Sequence, residues 1–113
     1  MGEYADLRVQ QKQPEGNGRI ALRKVEATAG TSDRGDVFIR VRGLKSGSGI
    51  DISLESRVKS LYEEAILETI KKKLKELKVS DMRVEVEDQA AFDYVIKARL
   101  ETAVQRAIQA GKK

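Results

Sequence analysis

The sequence predicts an α+β domain, with a small antiparallel or mixed sheet of three to four strands covered on one face by two helices. Three observations predict it. Val37, Ile39 and Val41, then Ile50, Ile52 and Leu54, then Met82, Val84 and Val86 alternate with polar neighbours, the period of a half-buried strand. Between and after them, two stretches carry apolar residues at three- and four-residue steps, the period of a helix lying on a surface. The order, strands then helix then strand then helix, is that of a sheet with its helices gathered on one side.

The elements follow in chain order. Residues 1–18 hold Gln10, Gln11, Gln13, Pro14, Gly16, Asn17 and Gly18 and read as a flexible N-terminal tail. Residues 19–113 then form a single domain, opening with an imperfectly alternating strand from Arg19 to Ala27. Gly30 to Asp36 is dense in Gly, Ser and Asp and reads as a turn. The Val37 strand follows. Gly43 to Gly49, with Ser46-Gly47-Ser48-Gly49, reads as a hairpin loop that returns the chain along Ile50, Ile52 and Leu54. Ser56 is placed to cap a helix whose stripe is Val58, Leu61, Tyr62, Ala65, Ile66, Ile70, Leu74 and Leu77, with Leu61, Ile66, Ile70 and Leu74 facing the sheet. After the Met82 strand, Asp88 is placed to cap a second helix with the stripe Phe92, Ile96, Leu100, Ala103 and Ala107.

Composition removes several chemistries. The 113 residues include no cysteine and no histidine. Thiolate nucleophiles, disulfides, thiolate zinc sites and imidazole acid–base catalysis are out of reach. The lack of disulfides fits a cytoplasmic protein. No apolar run approaches the roughly 18 residues of a membrane span, and Met1 to Gln13 lacks the apolar core of a signal peptide. No Gly-rich phosphate loop of P-loop or dinucleotide-binding type occurs. The net charge is +4, all of it from residues 37–113. That modest excess, with aromatic residues at 4%, counts against nucleic acid as a partner.

The turn and its strand, Ala29-Gly30-Thr31-Ser32-Asp33-Arg34-Gly35-Asp36-Val37-Phe38-Ile39-Arg40-Val41, form a first motif. A second is Val86-Glu87-Asp88-Gln89-Ala90-Ala91-Phe92-Asp93-Tyr94, continued by Ala98-Arg99. In that order and spacing they resemble the acyl-carrier (gamma) subunit family of citrate lyase, over roughly residues 22–108. The resemblance implies a non-catalytic carrier of a lyase complex, working with the citrate lyase alpha and beta subunits. It implies a phosphoprotein whose covalent phosphoribosyl-dephospho-CoA, a phosphopantetheine-type group, holds the acyl chain as a thioester. The family attaches that group to a serine of the turn. Aligned without gaps, the serine position falls on Arg34, and Ser32 is the serine that the turn of this chain offers. Two departures fall in the second motif, where Gln89-Ala90 replaces Lys-Gly and Tyr94 replaces Cys.

Four residues stand out as candidates for docking a partner: Arg34 and Asp36 on the turn, and Arg99 and Arg106 on the second helix. The two helical arginines are seven residues apart and project from similar faces. A half-buried arginine on a helix ordinarily pairs with a carboxylate. The run Lys71-Lys72-Lys73, Lys75 and Lys78 reads as a solvated helix end suited to the helix dipole. Its functional reading is docking onto an acidic partner or onto phosphates. Two further readings stay open. One is a structural subunit that keeps the fold without the carrier task, and the other is a small basic RNA-binding domain. No residue is assigned to catalysis or to a metal.

Overall fold

The computed structural model describes residues 25–57 and 60–111. The expected tail, 1–18, lies outside them, as do Val58 and most of the expected first strand. Four strands and two helices follow in the order β1 (Glu26–Gly30), β2 (Val37–Gly43), β3 (Ile50–Ser56), α1 (Ser60–Glu76), β4 (Met82–Asp88) and α2 (Asp93–Gly111). The class is α+β, as the alternation and the helical stripes predict.

The strands lie in the order β1-β2-β4-β3. β1 pairs antiparallel with β2, β2 antiparallel with β4, and β3 parallel with β4. The expected return of β3 along β2 is therefore corrected: β4 inserts between them. The loop at 44–49 behaves accordingly. It is tied to the start of β4 by Asp81, whose Oδ1 accepts from the Gly47 and Gly49 amides at 3.0 and 2.9 Å. Leu44 N–H donates to the Asp81 carbonyl at 3.0 Å. The loop thus crosses the end of a third strand instead of closing a hairpin. β3, α1 and β4 form a parallel crossover unit, which needs the intervening helix to bring the chain back.

Register places the inward side chains in rows. Ala29, Ile39, Val86 and Leu54 form one row, and Ala27, Val41, Val84 and Ile52 the next. α2 packs over β1 and β2, where the row members on β1 are alanines, and α1 lies beside α2 near β3. Ile66, Ile70 and Leu74 of α1 and Ile96, Leu100, Ala103, Val104 and Ala107 of α2 are buried against the sheet. Burial of these side chains is the main source of stability, at about 25 cal/mol per Å² of apolar surface. Lys73 joins the helices through Glu101 of α2 at 3.0 Å and also reaches Glu76 on its own helix at 3.6 Å. The Glu101 hydrogen bond outweighs the opposing loss of hydration and raises the ammonium's pKa.

The other face of the sheet carries charge. Arg40 reaches Glu26 and Glu85, Arg42 reaches Glu26, and Arg83 reaches Asp51 and Glu85, at 2.7–3.8 Å. All of these groups are well exposed, so each pair contributes about 0–1 kcal/mol. Their effect is to keep this face wetted while the opposite one packs.

Two expected caps meet each other. The Ser56 hydroxyl donates to Asp88 Oδ2 at 2.8 Å. Asp88 is buried, 1% exposed, and its Oδ1 accepts from the Ala91 amide at 2.9 Å. It ties the ends of β3 and β4 to the approach of α2 from five residues before that helix. The first α2 amides, Val95 and Ile96, donate instead to the Phe92 carbonyl. Phe92, expected in the buried stripe, is 70% exposed and stacks on Tyr94 with ring centroids 5.8 Å apart.

Candidate attachment turn

The turn at 31–36 joins β1 to β2 at the same end of the sheet as Asp88, since Val37 pairs with Asp88. Its entry is fixed by Gly30. There φ is +93°, and a Cβ would stand 1.8 Å from the Val37 carbonyl oxygen. Only glycine lets the two strands approach so closely. Gly35, at φ +83°, has open space around it.

Asp36 organises the turn. Its Oδ2 accepts from the Thr31 hydroxyl at 2.7 Å, and its Oδ1 from the Val37 amide at 2.7 Å. Arg99 of α2 grips both oxygens, Nε to Oδ1 and Nη2 to Oδ2, each at 3.0 Å. Thr31 Oγ1 in turn accepts from the Asp33 amide at 3.1 Å. Backbone bonds complete the anchorage: Gly35 N–H donates to the Gln89 carbonyl at 2.7 Å, and Gln89 N–H to the Asp36 carbonyl at 3.0 Å. Burial alone would push the Asp36 carboxyl up. The hydrogen bonds from Arg99, Thr31 and Val37, with the arginine's charge, overcome that and hold it at about 2. Asp36 is therefore an anion throughout the neutral range.

The sequence-derived residues divide cleanly. Asp36 and Arg99 meet each other, a pairing for which the sequence supplied the arginine's need of a carboxylate but not the partner. Arg106 donates from Nη1 to the Thr28 carbonyl of β1 at 2.8 Å. Ser32 and Arg34 lie at the exposed tip. Among the described residues neither the Ser32 hydroxyl nor the Arg34 guanidinium has a hydrogen-bond or ion-pair partner. Asp88 and Gln89, which hold the turn from behind, were missed as turn supports. Their signal lies in strand register, which no local motif carries.

The tip offers a free hydroxyl for a phosphodiester bond and a neighbouring cation for a phosphate charge. That donor set fits a phosphate-linked group on Ser32. Among the described residues no cluster of side chains could hold a metal ion, and no helix is long and apolar enough to cross a membrane.

A helix-backed sheet presenting a rigidly based, hydroxyl-bearing turn defines a small carrier-type domain. The chain belongs to the acyl carrier protein family described as malonate decarboxylase delta subunit, whose model matches residues 24–107. It is similar to the citrate lyase acyl carrier protein of Serratia proteamaculans, at 38% identity over 77% of this chain and 84% of that one. The citrate lyase acyl carrier protein of Lactobacillus helveticus is also 38% identical, over 76% and 87%. A chain in the crystal structure of a Pseudomonas malonate decarboxylase hetero-tetramer in complex with malonate superposes with a TM-score of 0.59. The match is 16% identical and covers 74% of this chain and 84% of that chain; this likeness speaks for the fold.

Proposed function

We propose that the chain is the acyl-carrier subunit of a citrate lyase-like complex. It carries an acyl thioester between two catalytic subunits, corresponding to the alpha and beta subunits of citrate lyase, and is itself non-catalytic. One observation carries the reading: the hydroxyl of Ser32 stands exposed, with no hydrogen-bond partner among the described residues, on a turn whose base is clamped by Asp36 and Arg99. The group would be phosphoribosyl-dephospho-CoA, which supplies a thiol for the acyl chain at the end of a long arm. Ser32 would provide its anchoring oxygen and Arg34 would neutralise the phosphate beside it. The clamp below keeps the anchor point fixed while the tip stays accessible. Tethering of this kind holds the acyl group at an effective concentration of about millimolar for both partners. Arg34, Asp36, Arg99 and Arg106 would shape the face presented to those partners, Asp36 and Arg99 by holding the turn. A cytoplasmic location accords with the absence of cysteine.

A specific observation also favours a second reading. Arg34 occupies the position where the resemblance puts the attaching serine, and arginine forms no phosphodiester. In this reading the domain is a structural subunit without an arm. Peptide mass mapping of protein from its native source separates the two. A nucleotide-sized adduct on Ser32 that disappears in Ser32→Ala supports the carrier. An unmodified turn, with modification gained by Arg34→Ser in the presence of the family's transferase, makes this chain an inactive form with the carrier fold. Failure of both versions to be modified removes the carrier assignment in favour of the structural subunit.

A further inference from the structure

Among the described residues β3 is an edge strand, paired on one side only. Met82 N–H donates to the Gly49 carbonyl and Arg57 N–H to the Asp88 carbonyl, so the odd-numbered residues of β3 turn their amides and carbonyls toward β4. In a parallel ladder the alternate residues, Ile52 and Leu54 among them, then present theirs outward. Along the groove side this edge is unguarded: β3 contains no proline, lysine or glycine, and its two charges, Asp51 and Glu55, alternate with Ile52 and Leu54 and so lie on the other face. Beside it runs a groove of 430 Å³, within the size of ligand sites. Ile50 and Ile52 of β3 and Leu67 and Leu74 of α1 line it, and Lys71 and Lys75 stand along the same side. Both lysines are exposed and lack an ion-pair partner among the described residues. Ile50 is 39% exposed, and Ile52 is only half-buried.

The geometry points to this groove as a docking site for an extended, acidic segment of a partner protein, added to the sheet as a fifth strand against β3. Backbone bonds to the outward groups of Ile52 and Leu54 supply affinity. Side chains of one parity face the groove: the apolar ones among them fill it, and the carboxylates among them meet Lys71 and Lys75 at its rim. This is strand addition between an edge strand and a helix. Charge selects the occupant. A second copy would bring its own lysine run, on a chain of net charge +4, against the first. Residues 1–24 of the chain hold five Lys/Arg against three Asp/Glu, also the wrong balance. The site lies at the end of β3 and β4 opposite the 31–36 turn, because Ile50 pairs with Met82 while Val37 pairs with Asp88. A partner held there leaves the turn uncovered. The inference does not depend on any modification of Ser32.

Amide hydrogen exchange on the full chain tests it with two blocked octapeptides in which threonine alternates with the groove-facing residues, these being valine and glutamate in one peptide and valine and lysine in the other. The glutamate peptide is expected to slow exchange of the Ile52 and Leu54 amides at least tenfold and the lysine peptide to leave them unchanged. In Lys71→Glu/Lys75→Glu the preference should reverse. These two lysines are exposed, so the variant should fold normally. Absence of slowing by either peptide, or equal slowing by both, overturns the proposal. So does decanoate shifting the groove signals while neither peptide protects the edge, which would assign the groove to a small amphiphilic carboxylate. Protection in the free protein that grows with concentration would assign the edge to a second copy, and concentration-independent protection to the chain's own residues 1–24.

Discussion

Arg99 holds both carboxylate oxygens of Asp36 at 3.0 Å across 63 residues of sequence, so the helix that follows the last strand fixes the turn that precedes the second. The arginine side chain is 43% exposed and the aspartate 14%. The pair is thus anchored from the buried side, and its acidic member carries the energetic consequence.

That consequence depends on pH. The folded carboxyl titrates at about 2, below the roughly 3.9 of an unfolded aspartate. Between those values the unfolded chain binds more protons, so stability rises with pH there. The contribution is complete above about pH 4 and is lost as pH falls through 2. Allowing for solvent around Arg99, it amounts to about 1–2 kcal/mol. Unfolding free energies of the wild type and Asp36→Asn, from urea titrations, should converge by roughly two-thirds of that amount between pH 5 and pH 2.5. A constant gap would show that the carboxylate's charge is not what stabilises the turn.

The two glycines of the turn should respond differently to alanine. At Gly30 the added Cβ meets the Val37 carbonyl at 1.8 Å, and Gly30→Ala should cost more than about 2 kcal/mol. At Gly35 only the left-handed backbone is disfavoured, for about 1–2 kcal/mol. Thermal unfolding of the two variants should rank them in that order.

Leu74 is 2% exposed at the centre of the helical layer, whereas Tyr62 on the same helix is 52% exposed. Leu74→Ala should destabilise by about 2–5 kcal/mol. Tyr62→Ala should stay within about 0.5 kcal/mol. Equal urea midpoints for the two variants would misplace α1 on the sheet.

Removing the Asp88 side chain takes away an acceptor of both the Ser56 hydroxyl and the Ala91 amide at once. Asp88→Ala should therefore cost about 1–3 kcal/mol. Faster amide exchange at Ala91 and Gln89 should accompany the loss, while the remote Gly47 and Gly49 amides, held by Asp81, should be unaffected.

What the sequence made legible was local. Val37, Ile39 and Val41 alternate because one face of β2 is wet, and that period survives any topology. The stripe Ile66, Ile70 and Leu74 survives for the same reason. Pairing partners were not legible: Ser46-Gly47-Ser48-Gly49 has hairpin composition whether or not another strand later enters between its flanks. Asp88 looked like a cap because aspartate before an apolar run usually is one, yet here burial made it a bridge between two strand ends. Phe92 fell in phase with Ile96 and Leu100, but it stands just before the helix begins and turns its ring onto Tyr94, away from the core. At the site, the need of Arg99 for a carboxylate was readable from residue type, whereas its choice of Asp36 depended on the packing of α2 over β1 and β2.

The late entry of β4 bears on how the chain acquires its shape during synthesis. A ribosome delivers β1, β2 and β3 first, and β2 and β3 cannot join because the strand that separates them has not been made. Until Met82–Asp88 emerges, β3 has no neighbour and α1 has no surface to cover. α2, which supplies the Arg99 clamp, follows β4 directly. Sheet and turn therefore come together late, with these last two elements. A nascent chain halted before residue 82 should remain sensitive to protease, and any enzyme that modifies the turn will meet its folded form only once α2 has been made.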